Sequence, residues 1–80
     1  MEITGFTTWL LMDGLRYPES DPVFKYARKV NRDVEWPCLP SYQTFEEVIA
    51  HHEKWDKGAA DVLYSAKLAW GDFEKWKKTN

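Results

Sequence analysis

The stretch Asp21-Pro22-Val23-Phe24-Lys25-Tyr26-Ala27-Arg28-Lys29-Val30-Asn31-Arg32 decides the fold. An aspartate followed by proline supplies an N-cap oxygen and then a first helical residue whose missing N–H costs nothing. Val23, Tyr26, Ala27 and Val30 then recur at helical spacing, and Lys25, Arg28, Lys29 and Arg32 gather on the other side. The pattern predicts an amphipathic helix that starts at Pro22 and ends between Asn31 and Asp33, apolar face inward and cationic face outward.

Upstream, Ile3, Phe6, Trp9 and Leu10 keep the same spacing, with Leu11 and Met12 widening the apolar arc. This predicts a helix over about residues 4–13, capped by Thr4 and closed by Gly14 in a left-handed exit. Leu15 to Ser20 contains Tyr17-Pro18, which disfavours helix at Tyr17 and marks a linker. Downstream, Trp36-Pro37 and Leu39-Pro40 impose extended backbone for the same reason. Thr44 and Glu47 form a capping box, with Ser41 a competing cap one turn earlier. Phe45, Val48, Ile49, His52 and Trp55 make the stripe of a third helix, which runs to Trp55 or Asp56. Asp56-Lys57-Gly58 is a turn. A final helix over about 59–77 directs Val62, Leu63, Ala66, Ala69, Trp70, Phe73 and Trp76 inward, with Gly71 marking a close approach or a slight bend. No segment alternates with strand period. The expected fold is all-α, one domain over residues 1–80, a compact bundle of four short helices, or five if Ser41 opens a separate turn.

Composition agrees. Eighty residues make one small domain, and a chain this short buries only about 60% of its unfolded surface. Five Trp, four Tyr and four Phe supply the apolar bulk that such a core needs without disulfides. The single Cys38 excludes an internal bridge and a cysteine-based zinc site. There is no apolar run of the roughly 20 residues needed for a membrane span, and no basic region followed by an apolar stretch at the start. These point to a cytoplasmic, reducing setting away from membranes.

Several landmarks together carry a resemblance. Phe6-x-x-Trp9-Leu10-Leu11, Asp21-Pro22-Val23, Ala27-Arg28, Asp33-x-x-Trp36-Pro37 and Ala69-Trp70-x-x-Phe73 are similar, in order and spacing, to the YozE-type, SAM-like (sterile alpha motif-like) small proteins of bacteria and phages. The similarity spans about residues 6–76 and departs in the loop from Cys38 to Thr44 and after Trp76. It implies a small SAM-like helical bundle whose biochemical role is not established, with protein or nucleic-acid binding suggested by fold analogy alone. It brings no catalytic residues.

The chain's own residues offer little chemistry. His51 and His52 point about 100° apart on a helix and cannot chelate one ion from there. His52 lies in the apolar stripe and reads as a partly buried histidine with a hydrogen-bond partner, whereas His51 reads as solvated. Cys38 has no basic neighbour to activate it and reads as a small loop residue. Glu46, Glu47, Glu53, Asp56 and Asp61 read as solvated faces and caps. No cofactor, metal or catalytic group is expected, so the chain reads as a non-enzyme.

The net charge of −2 conceals a dipolar chain. Between Arg16 and Arg32, the five cations Arg16, Lys25, Arg28, Lys29 and Arg32 stand against only Glu19 and Asp21. Asp33, Glu35, Glu46, Glu47, Glu53, Asp56 and Asp61 then outnumber Lys54 and Lys57. The basic helix reads as a solvated outer face, as a surface that docks a protein partner or a second copy, or as a phosphate-binding stripe. Trp9, Trp55 and Trp70 read as core, and Trp36 as a plug from the loop. Trp76, among Lys75, Lys77 and Lys78, closes the end of the bundle or anchors a partner. The candidate binding residues are therefore Arg16, Lys25, Arg28, Lys29, Arg32 and Trp76. The leading expectation is a small interaction module with a protein partner, and the alternative is a nucleic-acid-binding module.

Overall fold

Helix α1 (Phe6–Asp13) runs into a 3-10 turn at Gly14–Arg16, and α2 (Pro22–Arg32), α3 (Phe45–Trp55) and α4 (Ala60–Thr79) follow. The computed structural model describes residues 5–37 and 41–79. Ile3, the Thr4 cap, Cys38 and Leu39-Pro40 lie outside the described residues. The expected all-α bundle is present, and the described residues contain no strand. None of the described helices is long and apolar enough to cross a membrane.

Local signals set the starts of two helices. The Asp21 carboxylate accepts the Val23 N–H at 2.8 Å ahead of Pro22. At α3 the capping box closes: Thr44 Oγ1 accepts the Glu47 N–H at 3.2 Å, and Glu47 Oε1 accepts the Thr44 N–H at 3.0 Å. The same carboxylate takes the Gln43 N–H at 2.7 Å. These backbone donors, Gln43 first and Thr44 second, hold the Glu47 carboxyl below its ordinary range. Ser41 is not a cap, because its hydroxyl bonds instead to Thr7 on α1. α1 starts after Gly5, and α4 runs to Thr79, two residues beyond the expected end.

Helix α4 is the longest element and packs against the other three helices. Ala66 and Ala69 on α4 and Ala27 on α2 are completely buried, and their small side chains allow close helix approach. An aromatic cluster fills one side of the core. Phe6 sits 4.7 Å from Trp70 and 5.4 Å from Phe73, and Trp9 lies 5.7 Å from Phe73, all as ring-centroid distances. Such pairs add about 0.5–1.5 kcal/mol each beyond the area they bury. Trp70 is only partly buried, and its indole N–H donates to Glu74 at 3.1 Å. The linker is fastened by Tyr17, whose hydroxyl donates to Asp72 on α4 at 2.9 Å. Burial, followed by the Asp72 carboxylate, pushes that hydroxyl up to about 12.

Gly14 corrects the expected left-handed exit. It is right-handed helical, at φ −62° and ψ −35°, and the chain continues into the 3-10 turn. Space is tight there: an added Cβ would lie 3.1 Å from both Ala27 Cβ and Leu10 Cδ1, closer than such contacts ordinarily come. Gly71 is the opposite case, with nothing within 4 Å of an added Cβ, so it marks no close approach. Gly71→Ala should therefore raise stability by about 1 kcal/mol by helix propensity alone. Gly14→Ala should lower it by about 1 kcal/mol through overpacking against α2. Urea unfolding of the two variants checks both signs.

Candidate functional site

Two hydrogen-bond chains run through the interior side by side, and α3 supplies the centre of each. Val48, His51 and His52 are all buried, and the two imidazoles have no exposed side-chain surface. Adjacent helical residues diverge by about 100°, so burying both requires packing on two sides of α3. His52 faces α2: the Tyr26 hydroxyl lies 2.8 Å from its Nε2, and its Nδ1 lies 2.7 Å from Asp56 Oδ2. His51 faces the α2–α3 connection: the Tyr42 hydroxyl lies 2.8 Å from its Nδ1, and its Nε2 lies 2.8 Å from Asp33 Oδ2. The rings meet edge to face at 5.3 Å, and Trp36 packs on both, 4.9 Å from His51 and 5.8 Å from His52.

For a neutral imidazole the connectivity selects the tautomer. A carboxylate only accepts, so each histidine donates from the nitrogen that faces its aspartate, and the other nitrogen accepts from a tyrosine. His51 is thus protonated on Nε2 and His52 on Nδ1, opposite tautomers on neighbouring residues. Burial lowers the His52 pKa beneath its ordinary 6.5, against the opposing pull of Asp56. Burial alone pushes Asp56 up, but the hydrogen bonds from His52 and Lys29 outweigh it and hold the carboxyl below 3.8. Burial, reinforced by nearby carboxylates, pushes the hydroxyls of Tyr26 and Tyr42 upward.

Both aspartates also reach the surface. Asp33 caps the end of α2, and its Oδ1 accepts the Glu35 N–H at 2.9 Å, closing a turn. The turn sends Trp36 inward, where its indole N–H donates to Thr7 Oγ1 at 2.9 Å, and leaves Val34 92% exposed. Asp56 caps α3 and takes Lys29 Nζ on its Oδ1 at 3.0 Å. Between the two carboxylates lies an open groove of about 500 Å³, lined by Arg32, Val34, Glu35 and Trp55 as well. Trp55 is 47% exposed, with Lys54 Nζ 5.0 Å from its ring.

The predicted binding residues divide. Lys25, Arg28 and Arg32 are exposed on α2, with Arg28 5.9 Å from the Phe24 ring. Lys29 leaves that surface for Asp56. Arg16 is exposed on the 3-10 turn, and Trp76 is half-buried on α4, its ring stacked on Phe73 at 6.2 Å. The structure places neither in the groove.

Three readings are corrected. His51 is not solvated, because Trp36 and Tyr42 cover it from the connection. Trp55 is not core, because the last turn of α3 projects past the apolar interior into the polar groove. Asp56 is not a merely solvated cap, since His52 and Lys29 share its carboxylate. Trp36 does plug the bundle, at 6% exposure. The signal missed at His51 was its spacing: 48, 51, 52 and 55 form one helical stripe as well as 45, 48, 49 and 52 do.

Among the described residues no group of three or more His, Cys, Asp or Glu could hold a metal ion. Compared with protein-family models, curated proteins and solved structures, the chain matches none.

The network makes stability pH-dependent in a defined direction. Because the His52 pKa is depressed in the folded chain, the unfolded chain binds that proton first as pH falls. Its contribution is complete above pH 6.5 and is lost as pH drops through the folded value. Asp56, held below 3.8, gives up its share only in a second, more acidic step. Urea unfolding at graded pH should show stability declining below about pH 6.5, with a shallower decline in His52→Gln.

Proposed function

We propose that the chain is a small, non-enzymatic helical interaction module that binds a protein partner through the corner between α2 and α3. The observation that carries this reading is the pairing of Val34 and Trp55 on one groove, both exposed; the other exposed large apolar residues, Met12 and Tyr64, do not line it. Exposed large apolar side chains set together, rimmed by polar groups, mark interaction surfaces, and tryptophan is the commonest anchor in them. The Tyr–His–Asp connections share the layout of a nucleophile, base and orienting acid. Their tyrosines, however, are shifted away from ionisation, the reverse of an activated nucleophile, and the Tyr26 hydroxyl is buried. That supports a structural use of the network.

The YozE-type, SAM-like reading belongs to this proposal. Phe6, Trp9, Trp36 and Phe73 lie in the core and Asp21-Pro22 starts α2, which supports a shared bundle plan. A cytoplasmic location is likewise part of the proposal. The alternative, nucleic-acid binding, draws on Lys25, Arg28 and Arg32, which are exposed and have no ion-pair partner among the described residues. The diversion of Lys29 to Asp56 and the three carboxylates on the groove weaken it.

A photo-crosslinking residue at Val34, introduced in the cells of origin, tests the choice. Discrete protein adducts that vanish with Trp55→Ser are expected. Adducts to nucleic acid, or none at all, would contradict the proposal.

A further inference from the structure

The two imidazoles differ in what a further proton would cost them. His51 takes one hydrogen bond from Tyr42, which is only partly buried, so a turned hydroxyl there can meet water. His52 takes its own from Tyr26, which is 2% exposed. Among the described residues, His52 Nε2 is the only hydrogen-bond partner of that hydroxyl. A proton added to His52 goes to Nε2, because Nδ1 already carries the one directed at Asp56. The Tyr26 oxygen must then accept, and its own hydrogen is left in the interior without an acceptor. The charged surroundings give little relief. Lys29 from α2 already sits on Asp56, so the one carboxylate beside a charged His52 is shared with a second cation. His51 lies 5.3 Å away on α3, paired with Asp33 from the cap of α2 and Tyr42 from the connection. From α4, Asp61 lines an outer groove beside Tyr26 and Lys29.

The architecture confines the consequence. α3 packs closely against α4, whereas its tie to α2 runs through the long side-chain pairs Tyr26–His52 and Lys29–Asp56. α2 is held separately, by packing against α1 and α4, and Phe6, Trp9 and Phe73 join α1 to α4 without any α3 residue. We infer that the Tyr26–His52 contact is a proton-operated latch: in mild acid the C-terminal end of α3 parts from α2 while the α1–α2–α4 core stays folded. The lowered His52 pKa agrees, since the closed latch resists the proton. Trp55 and Asp56 come to the corner groove from the end of α3, and Lys29 and Arg32 come to it from α2, so opening the latch takes the groove apart. Resting on the interaction reading above, this makes the interface pH-dependent, but the latch itself is measured with no partner present.

An NMR titration of the intact protein from about pH 7.5 to about pH 5 tests the inference. Ring-to-ring nuclear Overhauser contacts between Tyr26 and His52 should be lost as the His52 ring ¹⁵N signals report protonation, at a midpoint below pH 6.5. Contacts between Phe6 and Phe73 and the helical circular dichroism should be retained over the same range. His52→Gln, uncharged throughout, should keep its contact with Tyr26 in acid, whereas His51→Gln should still open. A Tyr26–His52 contact that persists to about pH 5 would overturn the inference. Loss of the Tyr26–His52 and Phe6–Phe73 contacts along one curve would overturn it as well, because the bundle then unfolds as a unit. Both readouts come from the unmodified chain, so they decide the matter even where a variant fails to fold. Opening that persists in His52→Gln and disappears in His51→Gln would overturn the assignment to His52.

Discussion

Two neighbouring residues on α3 are both buried and both polar, and the rest of this structure is arranged around that constraint. An unpartnered buried nitrogen costs about 1–3 kcal/mol, and two imidazoles bring four such atoms into the interior. All four are matched, by Tyr26, Asp56, Tyr42 and Asp33, and no buried side-chain polar atom among the described residues lacks a partner. The partners come from α2, from its C-terminal cap, from the α2–α3 connection and from the cap of α3. Satisfying two side chains thus specifies how three segments meet. An apolar pair in their place would fill the space without fixing that register, which is the specificity that fully satisfied polar networks provide.

The same constraint shapes the surface. Asp33 and Asp56 each use one oxygen toward a histidine and the other toward the exterior, where they close the 33–36 turn and hold Lys29. The turn leaves Val34 outside and Trp36 inside, and the α3 cap leaves Trp55 at the rim. A groove with exposed apolar residues and the outward oxygens of Asp33 and Asp56 is the outer side of the buried network. The proposed interface is therefore built on side chains whose positions the interior determines, rather than on a loop that must order on binding.

Much of the fold was legible because its signals are local. Asp21-Pro22 and the Thr44–Glu47 box act within one turn of their helices, and the Val23–Val30 stripe depends only on helical spacing. The starts of α2 and α3 followed from these, as did the inward face of α2. Gly14 was legible as a special position but not for the right reason, since close approach to Ala27 is a property of packing and not of the local chain. The candidate site was less legible still. Helical spacing gave His51 a place beside Val48 and His52, but its cover by Trp36 and Tyr42 is a tertiary contact that the local chain does not reveal. Trp55 continued an apolar stripe, yet whether its turn meets core or solvent depends on where α2 ends. The basic stripe was readable as four cations, but the loss of Lys29 to Asp56 is a tertiary pairing across 27 residues.

The central claim is that the two histidines form separate, oppositely directed relays. Long-range ¹H–¹⁵N NMR of the imidazole rings at neutral pH tests it directly, because it reports which nitrogen carries the proton at each residue. The account predicts His51 protonated on Nε2 and His52 on Nδ1, with His52 still neutral at pH values somewhat below 6.5. Two rings in the same tautomer, or a His52 that is protonated at or above pH 6.5, would contradict it.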